Sequence, residues 1–274
     1  MPIWDAEKTQ WWPRHITESA WLEHTPFAAW LVPILEPKIV VELGTHQAVS
    51  YMAFCQANVH LAAPAKCFAI DTWQGDEHAG QYDDSIFQNV KNLNQQYDAF
   101  STLLRVKFDD ALDKFENGSV DLLHIDGLHT YEAVAHDFHS WLPKMSERGV
   151  ILFHDTEVRD RNFGVWRLWQ ELSKRYPHFS FEHGFGLGLL IVGPHAPDKI
   201  KRLCQSGDNG NLSQQFRDFF ADRGREVIVH YQTLLATEAQ KSRLGRYRHT
   251  LKTFWRSHVP ISIRKRLQSF RSIR

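Results

Sequence analysis

The chain has 274 residues, 43% hydrophobic and 23% charged, a length and composition that suit one α/β domain with terminal additions and argue against a disordered chain. Thirty-two basic side chains balance 32 acidic ones, so the molecule as a whole is not a general binder of nucleic acid. Cys55, Cys67 and Cys204 have no paired spacing, which excludes a zinc ribbon and fits a reducing cytoplasm.

Residues 1–35 read as a helical segment rich in tryptophan (Trp4, Trp11, Trp12, Trp21) that ends in a helix from Pro26 to Leu35. Tryptophan there reports either packing on the domain edge or a wall of a binding site. The β-branched run Ile39–Leu43 predicts a strand buried on both faces of a parallel sheet. A helix is expected over 49–62, a strand over Cys67–Ile70, a polar loop over 72–85 and a helix over 86–97. Leu103–Val106 is a third strand, followed by a short helix over 111–115. Val120–Ile125 is a fourth strand, and Tyr131, Val134, Phe138, Trp141 and Leu142 then recur at helical spacing. Gly149–Phe153 is a fifth strand, with a helix over 164–175 and a closing hairpin of Phe179–Glu182 and Leu187–Val192. The alternation predicts a Rossmann-like α/β domain over 36–194: seven mostly parallel strands, helices on both faces and a terminal antiparallel hairpin. Residues 195–211 read as a polar linker within a third region, 195–274, whose helix over 212–249 runs into a basic tail.

Open α/β sheets bind ligands beyond the carboxyl ends of their strands. Polar residues gather at those ends: Glu42-Leu-Gly44, Asp71, Asp109, Asp126 to His129, and His154-Asp155. Each alone fits a helix cap; several at consecutive strand ends fit a site. The loop Glu42-Leu-Gly-Thr-His-Gln-Ala-Val-Ser50 is neither a dinucleotide fingerprint nor a phosphate loop. Its acid would repel a pyrophosphate and suits a cationic ligand such as a sulfonium amino acid. Asp71 is placed to accept hydrogen bonds from ribose hydroxyls.

Through VVELGTHQAVSY, AIDTW, VDLLHIDGLHTYEAVAHDFHSWLP and GVILFHDT, spread over roughly residues 26–193, the chain resembles the class I S-adenosylmethionine-dependent methyltransferases. Within them it is similar to the group of macrolide-sugar O-methyltransferases, cephalosporin-hydroxylase-like proteins and methyltransferases linked to glycosyltransferases. Ala48 departs from the pattern, standing where many relatives have a second glycine. The resemblance implies a site for S-adenosylmethionine made of Glu42, Gly44, Thr45, Ser50, Asp71, Trp73, Phe108, Asp109 and Asp126. It implies His129 as general base, with Asp126 as a second catalytic residue. It also implies a divalent ion, magnesium or manganese, at Asp126, His154 and Asp155, with histidine in place of a carboxylate at 154. The implied reaction is O-methylation of a sugar or glycan hydroxyl. A metal-dependent hydroxylase on the same fold and a non-catalytic module of a glycan-synthesis complex are the alternatives.

No acidic residue follows Glu238, while Lys241, Arg243, Arg246, Arg248 and further basic residues reach Arg274. That tail is read as a dock for an anionic membrane surface or an acidic partner such as a glycosyltransferase, or as a solvated helix or dimer arm of a homo-oligomer. The expected location is the cytoplasm, peripheral to the inner face of the membrane; no apolar run approaches the roughly 20 residues of a membrane span, and the first residues lack a secretory pattern.

Overall fold

The computed structural model describes Trp4 and residues 11–258 except 77, 79, 161 and 206–209, and beyond residue 242 it describes the backbone alone. Seven strands form one sheet: β1 (Ile39–Leu43), β2 (Lys66–Ile70), β3 (Ser101–Leu104), β4 (Val120–Ile125), β5 (Met145–His154), β6 (His178–Phe181) and β7 (Leu187–Ile191). Their spatial order is β3-β2-β1-β4-β5-β7-β6. The first five pair in parallel, and β7 runs antiparallel to both β5 and β6. The strand order reverses between β1 and β4, which places the ligand-binding crevice beyond Leu43 and Ile125.

Helices α1 (Thr25–Leu35), α2 (Val49–Asn58), α3 (Asp84–Asn94), α4 (Phe108–Ala111), α5 (Tyr131–Trp141) and α6 (Val165–Leu172) connect and cover the strands. β1 and β4 are almost wholly buried because both their faces are covered, which is why their sequences are continuous apolar runs. One core links Val41, Leu123, Ile151 and Phe153 of the sheet to Phe138 and Trp141 of α5 and Trp169 of α6.

Several boundaries differ from the sequence reading. Residues 11–19 carry no helix, and among the described residues of the tryptophan-rich segment helix starts with a 3-10 turn at Ala20–His24, capped by the Ser19 hydroxyl; most of residues 1–10 lie outside the described residues. β5 starts at Met145, four residues early, because its pairing with β4 is bulged: Val120 faces Met145, yet Leu122 faces Val150. The loop over 72–85 contains a two-residue hairpin, Gly75–Asp76 against Gly80–Gln81. Within the expected linker, Asp198–Gln205 forms helix α7, which buries Ile200, Leu203 and Cys204 at helical spacing.

The chain divides into two compact units, Met1–Ile228 and Val229–Arg274. Helix α8 (Asn211–His258) begins in the first, where Phe216 and Phe220 join Phe27, Trp30 and Phe181 in one aromatic cluster. Such ring pairs contribute about 0.5–1.5 kcal/mol each beyond their buried area, so α8 is fastened to the sheet's antiparallel edge. Val229, Leu234 and Leu235 of the second unit are exposed. From Arg243 onward the basic tail lies outside the described side chains. Among the described residues no helix is long and apolar enough to cross a membrane.

Candidate functional site

A cavity of about 310 Å³ opens beyond the carboxyl ends of β1, β2 and β4. Gly44 forms its base with φ +85°, and a Cβ there would lie 2.1 Å from the Asp126 carbonyl oxygen. Only glycine allows the loop after β1 to pass this close to the loop after β4.

Asp71 at the end of β2 holds the same loop. Its Oδ2 accepts from the Thr45 and His46 amides at 2.8 and 2.9 Å, and its Oδ1 accepts from the Trp73 amide at 2.6 Å. His46 and Ala48 have φ of +46° and +64°, so the loop is strained as well as anchored. Thr45, Ala48 and Ser50 face the cavity from this loop and the first turn of α2.

Beneath it lies a fully buried chain of polar groups. The Trp21 indole N–H donates to His124 Nε2 at 3.0 Å, and His124 Nδ1 lies 2.8 Å from Glu42 Oε2. An indole N–H can only donate, so Nε2 is the unprotonated nitrogen and Nδ1 carries the hydrogen given to Glu42. His124 is therefore neutral, and its contact with Glu42 is a hydrogen bond rather than an ion pair. Burial raises the Glu42 carboxyl above the ordinary range, against the lowering effect of His124. Glu42 Oε1 has no hydrogen-bond partner. A buried carboxylate oxygen left open beside a ligand cavity suits a cationic donor.

At the other end of the cavity four side chains converge. His129 Nε2 lies 2.8 Å from Asp155 Oδ2 and 3.5 Å from Asp126 Oδ1. His154 Nδ1 lies 3.3 Å from Asp126 Oδ1 and 3.4 Å from Asp155 Oδ1. Asp155 has φ +61°, a conformation aspartate tolerates better than most side chains. The His129 ring stacks on Phe163 at 4.5 Å, and its backbone carbonyl accepts from the Gly164 amide. Thr130, not His129, caps α5. Burial works against a charge on His129, but hydrogen bonds to Asp126 and Asp155 outweigh it and push its pKa up to about 9. Burial opposes the shifts of its neighbours too, yet the two carboxylates hold His154 well above the usual range and the histidines hold Asp126 well below it.

His154 Nε2 donates to the Gly184 carbonyl at 3.0 Å. In the neutral ring Nδ1 would then present a lone pair to two carboxylate oxygens, a repulsion that only a proton or a cation among them relieves. One ligand atom from each of Asp126, His154 and Asp155 lies within 4.8 Å of the others. A ligating imidazole with its second nitrogen on a backbone carbonyl is the usual arrangement at metal sites.

Of the residues expected at the site, Gly44, Thr45, Ser50, Asp71, Phe108, Asp126 and His129 line the cavity. Glu42 lies buried under it. Trp73 and Asp109 are not among its lining residues: the Trp73 indole donates to the His46 carbonyl, and exposed Asp109 pairs with His136. His154 and Asp155 stand behind Asp126. The sequence reading had not singled out Glu18, Ser19, Gln47, Tyr82 and Lys107, which also line the cavity. Trp21 borders it too, while the side chain itself is buried and packs on Phe54, the packing role favoured for most tryptophans of its segment. No periodicity marks these positions.

Residues 41–156 match the family model described as a methyltransferase domain. An uncharacterized protein of Sinorhizobium fredii is 51% identical over 210 residues, which is 77% of this chain and 23% of that protein. The chain thus spans less than a quarter of the length of that curated relative. Among solved structures, the O-methyltransferase TomG from Streptomyces achromogenes, involved in tomaymycin synthesis, is similar with 13% identity and a TM-score of 0.48, covering 66% of this chain and 83% of that one. The methyltransferase PaMTH1 of Podospora anserina gives 14% and 0.46, covering 61% and 77%.

Proposed function

We propose that this chain, whose residues 41–156 match a methyltransferase-domain model, is a class I S-adenosylmethionine-dependent methyltransferase that transfers a methyl group to a hydroxyl of a sugar or glycan. The observation that carries the reading is the convergence of His129, Asp126, His154 and Asp155 beside a cavity that Asp71 also lines and under which Glu42 is buried. When bound, S-adenosylmethionine supplies an electrophilic methyl on a positively charged sulfur. Glu42 and the loop from Gly44 to Ser50 hold its amino-acid part, Asp71 its ribose, and Phe108 borders the adenine.

An alcohol is a poor nucleophile until its proton is removed. His129 takes this proton: its Nε2 donates to Asp155 and Asp126, which leaves Nδ1, a nitrogen with no hydrogen-bond partner, as the basic atom of the neutral ring. With that proton held on His129, the acceptor oxygen would be free to take the methyl group that bound S-adenosylmethionine would supply. Phe163 keeps the imidazole in plane for this. Asp126, His154 and Asp155 fit a divalent cation, which would add Lewis acidity at the acceptor oxygen. One imidazole and two carboxylates are the reverse of the two-histidine, one-carboxylate set of non-haem iron oxygenases, so this donor set favours transfer over hydroxylation.

Calorimetry with S-adenosylhomocysteine and with manganese tests both halves of the site. Both are expected to bind the intact chain. Asp155→Asn loses the metal and keeps the nucleoside. A chain that binds no S-adenosylhomocysteine contradicts the reading.

A further inference from the structure

A second cavity, of about 870 Å³, lies between the segment before α1 and helix α3. We propose that it is a subsite for a neutral, hydroxyl-rich chain: the part of an oligosaccharide acceptor remote from the hydroxyl that is methylated. The proposal rests on the methyltransferase reading above and specifies how its acceptor is held.

Three observations carry it. First, its size falls within the roughly 300–1,000 Å³ typical of small-molecule sites. Second, its lining is polar without being charged. None of the lining residues is Asp, Glu, Lys or Arg, although 23% of the chain is charged. The polar groups are carboxamides above all: Asn89, Asn92, Gln95 and Gln96 from the α3 side, and Gln47 from the loop after β1. Each amide offers two donors and an acceptor oxygen, which matches hydroxyls that both give and accept hydrogen bonds. A charged ligand would lose hydration there and meet no counter-charge. The His15 ring adds none at neutral pH: burial lowers its pKa, and its Nε2 bonds to the Gln47 carbonyl at 2.8 Å. Leu93 and Val90 supply an apolar floor for the ring faces of a sugar.

Third, the cavity adjoins the proposed catalytic pocket. The segment His15-Ile-Thr17 lines the groove, and the next residues, Glu18, Ser19 and Trp21, line the pocket. Gln47 borders both, with its side-chain oxygen accepting from the Thr17 hydroxyl at 3.0 Å. A chain lying along this segment passes from one to the other. Binding energy gathered in the groove would then serve to orient the distant hydroxyl.

The full chain is tested on immobilised neutral oligosaccharides, acidic oligosaccharides and neutral peptides, beside a variant carrying Asn89→Ala and Asn92→Ala. Both asparagines are exposed on α3 and take no part in the catalytic machinery. The expected result is retention on neutral oligosaccharides alone, at least about tenfold weaker in the double variant, as for the loss of roughly 1.4 kcal/mol of hydrogen bonding. S-adenosylhomocysteine affinity stays unchanged in the variant. Retention on acidic oligosaccharides or peptides instead, retention on nothing, or neutral-sugar binding unmoved by the substitutions overturns the groove. Failure of the unsubstituted chain to bind S-adenosylhomocysteine is a separate result and contradicts the methyltransferase reading.

Discussion

At the scale of single residues, the loop after β1 combines strain with anchoring. Ala48 sits in the left-handed region at φ +64°, where a Cβ costs roughly 1–2 kcal/mol. Ala48→Gly is expected to raise stability by about 1 kcal/mol, read as a higher denaturation midpoint with an unchanged slope. A lower midpoint would mean that the methyl's packing outweighs the strain. The departure at 48 was legible in the sequence; its left-handed backbone was not, because φ depends on how Thr45 and His46 are tied to Asp71. Those ties give Asp71 a second duty. Asp71→Asn replaces one acceptor oxygen by a donor, so it breaks at least one charge-assisted bond worth about 1.5–3 kcal/mol. S-adenosylhomocysteine should bind at least about tenfold more weakly to it by calorimetry, and equal affinity would remove Asp71 from the site.

At the scale of elements, the turn between β6 and β7 joins the N-terminal segment to β5. The Gly184 carbonyl lies within hydrogen-bond distance of His24 and His154. Burial lowers His183 to about 4, helped by Arg225, and burial holds His24 well below its ordinary value. At these two rings the folded state binds fewer protons than the unfolded chain between pH 6.5 and 4. The stability linked to these rings is present above pH 6.5 and is lost as pH falls towards 4. The change in Tm over that window should therefore be less unfavourable in His183→Gln than in the unsubstituted chain, whatever Asp137, whose pKa burial raises to about 7, adds in the opposite direction to both. An identical pH profile in the variant would contradict the assignment.

Legibility followed sequence distance at this scale. The sheet was readable because each strand is a local apolar run and each interval a local period. Helix α7 was not, since DKIKRLCQ buries only three of eight residues and reads as polar. The link from Trp21 to His124 spans 103 residues and that from His124 to Glu42 spans 82, so no local pattern announces either. His129, Asp126, His154 and Asp155 were each visible as strand-end residues, but the carboxylate clamp on His129 emerged only in three dimensions.

For the molecule as a whole, the sheet brings the loops after β1, β2 and β4 to one cavity, and in the proposed reading His129 stands between methyl donor and acceptor there. With its pKa pushed up to about 9, the metal-free site holds His129 protonated at neutral pH, and the neutral base appears only as pH rises through 9. The stability tied to the protonated ring is full below pH 6.5 and fades as pH climbs through 9, so His129→Ala should lower Tm at pH 6 in the presence of chelator and lower it less at pH 9.5. The central claim is methyl transfer to a hydroxyl with His129 as base. It is tested most directly by incubating the full chain with methyl-labelled S-adenosylmethionine and a mixture of neutral glycans. The account predicts label in alkali-stable ether linkage on glycan, reduced about 10²–10⁴-fold in His129→Ala while S-adenosylhomocysteine still binds. No transfer by the intact chain, or full transfer by His129→Ala, would contradict it.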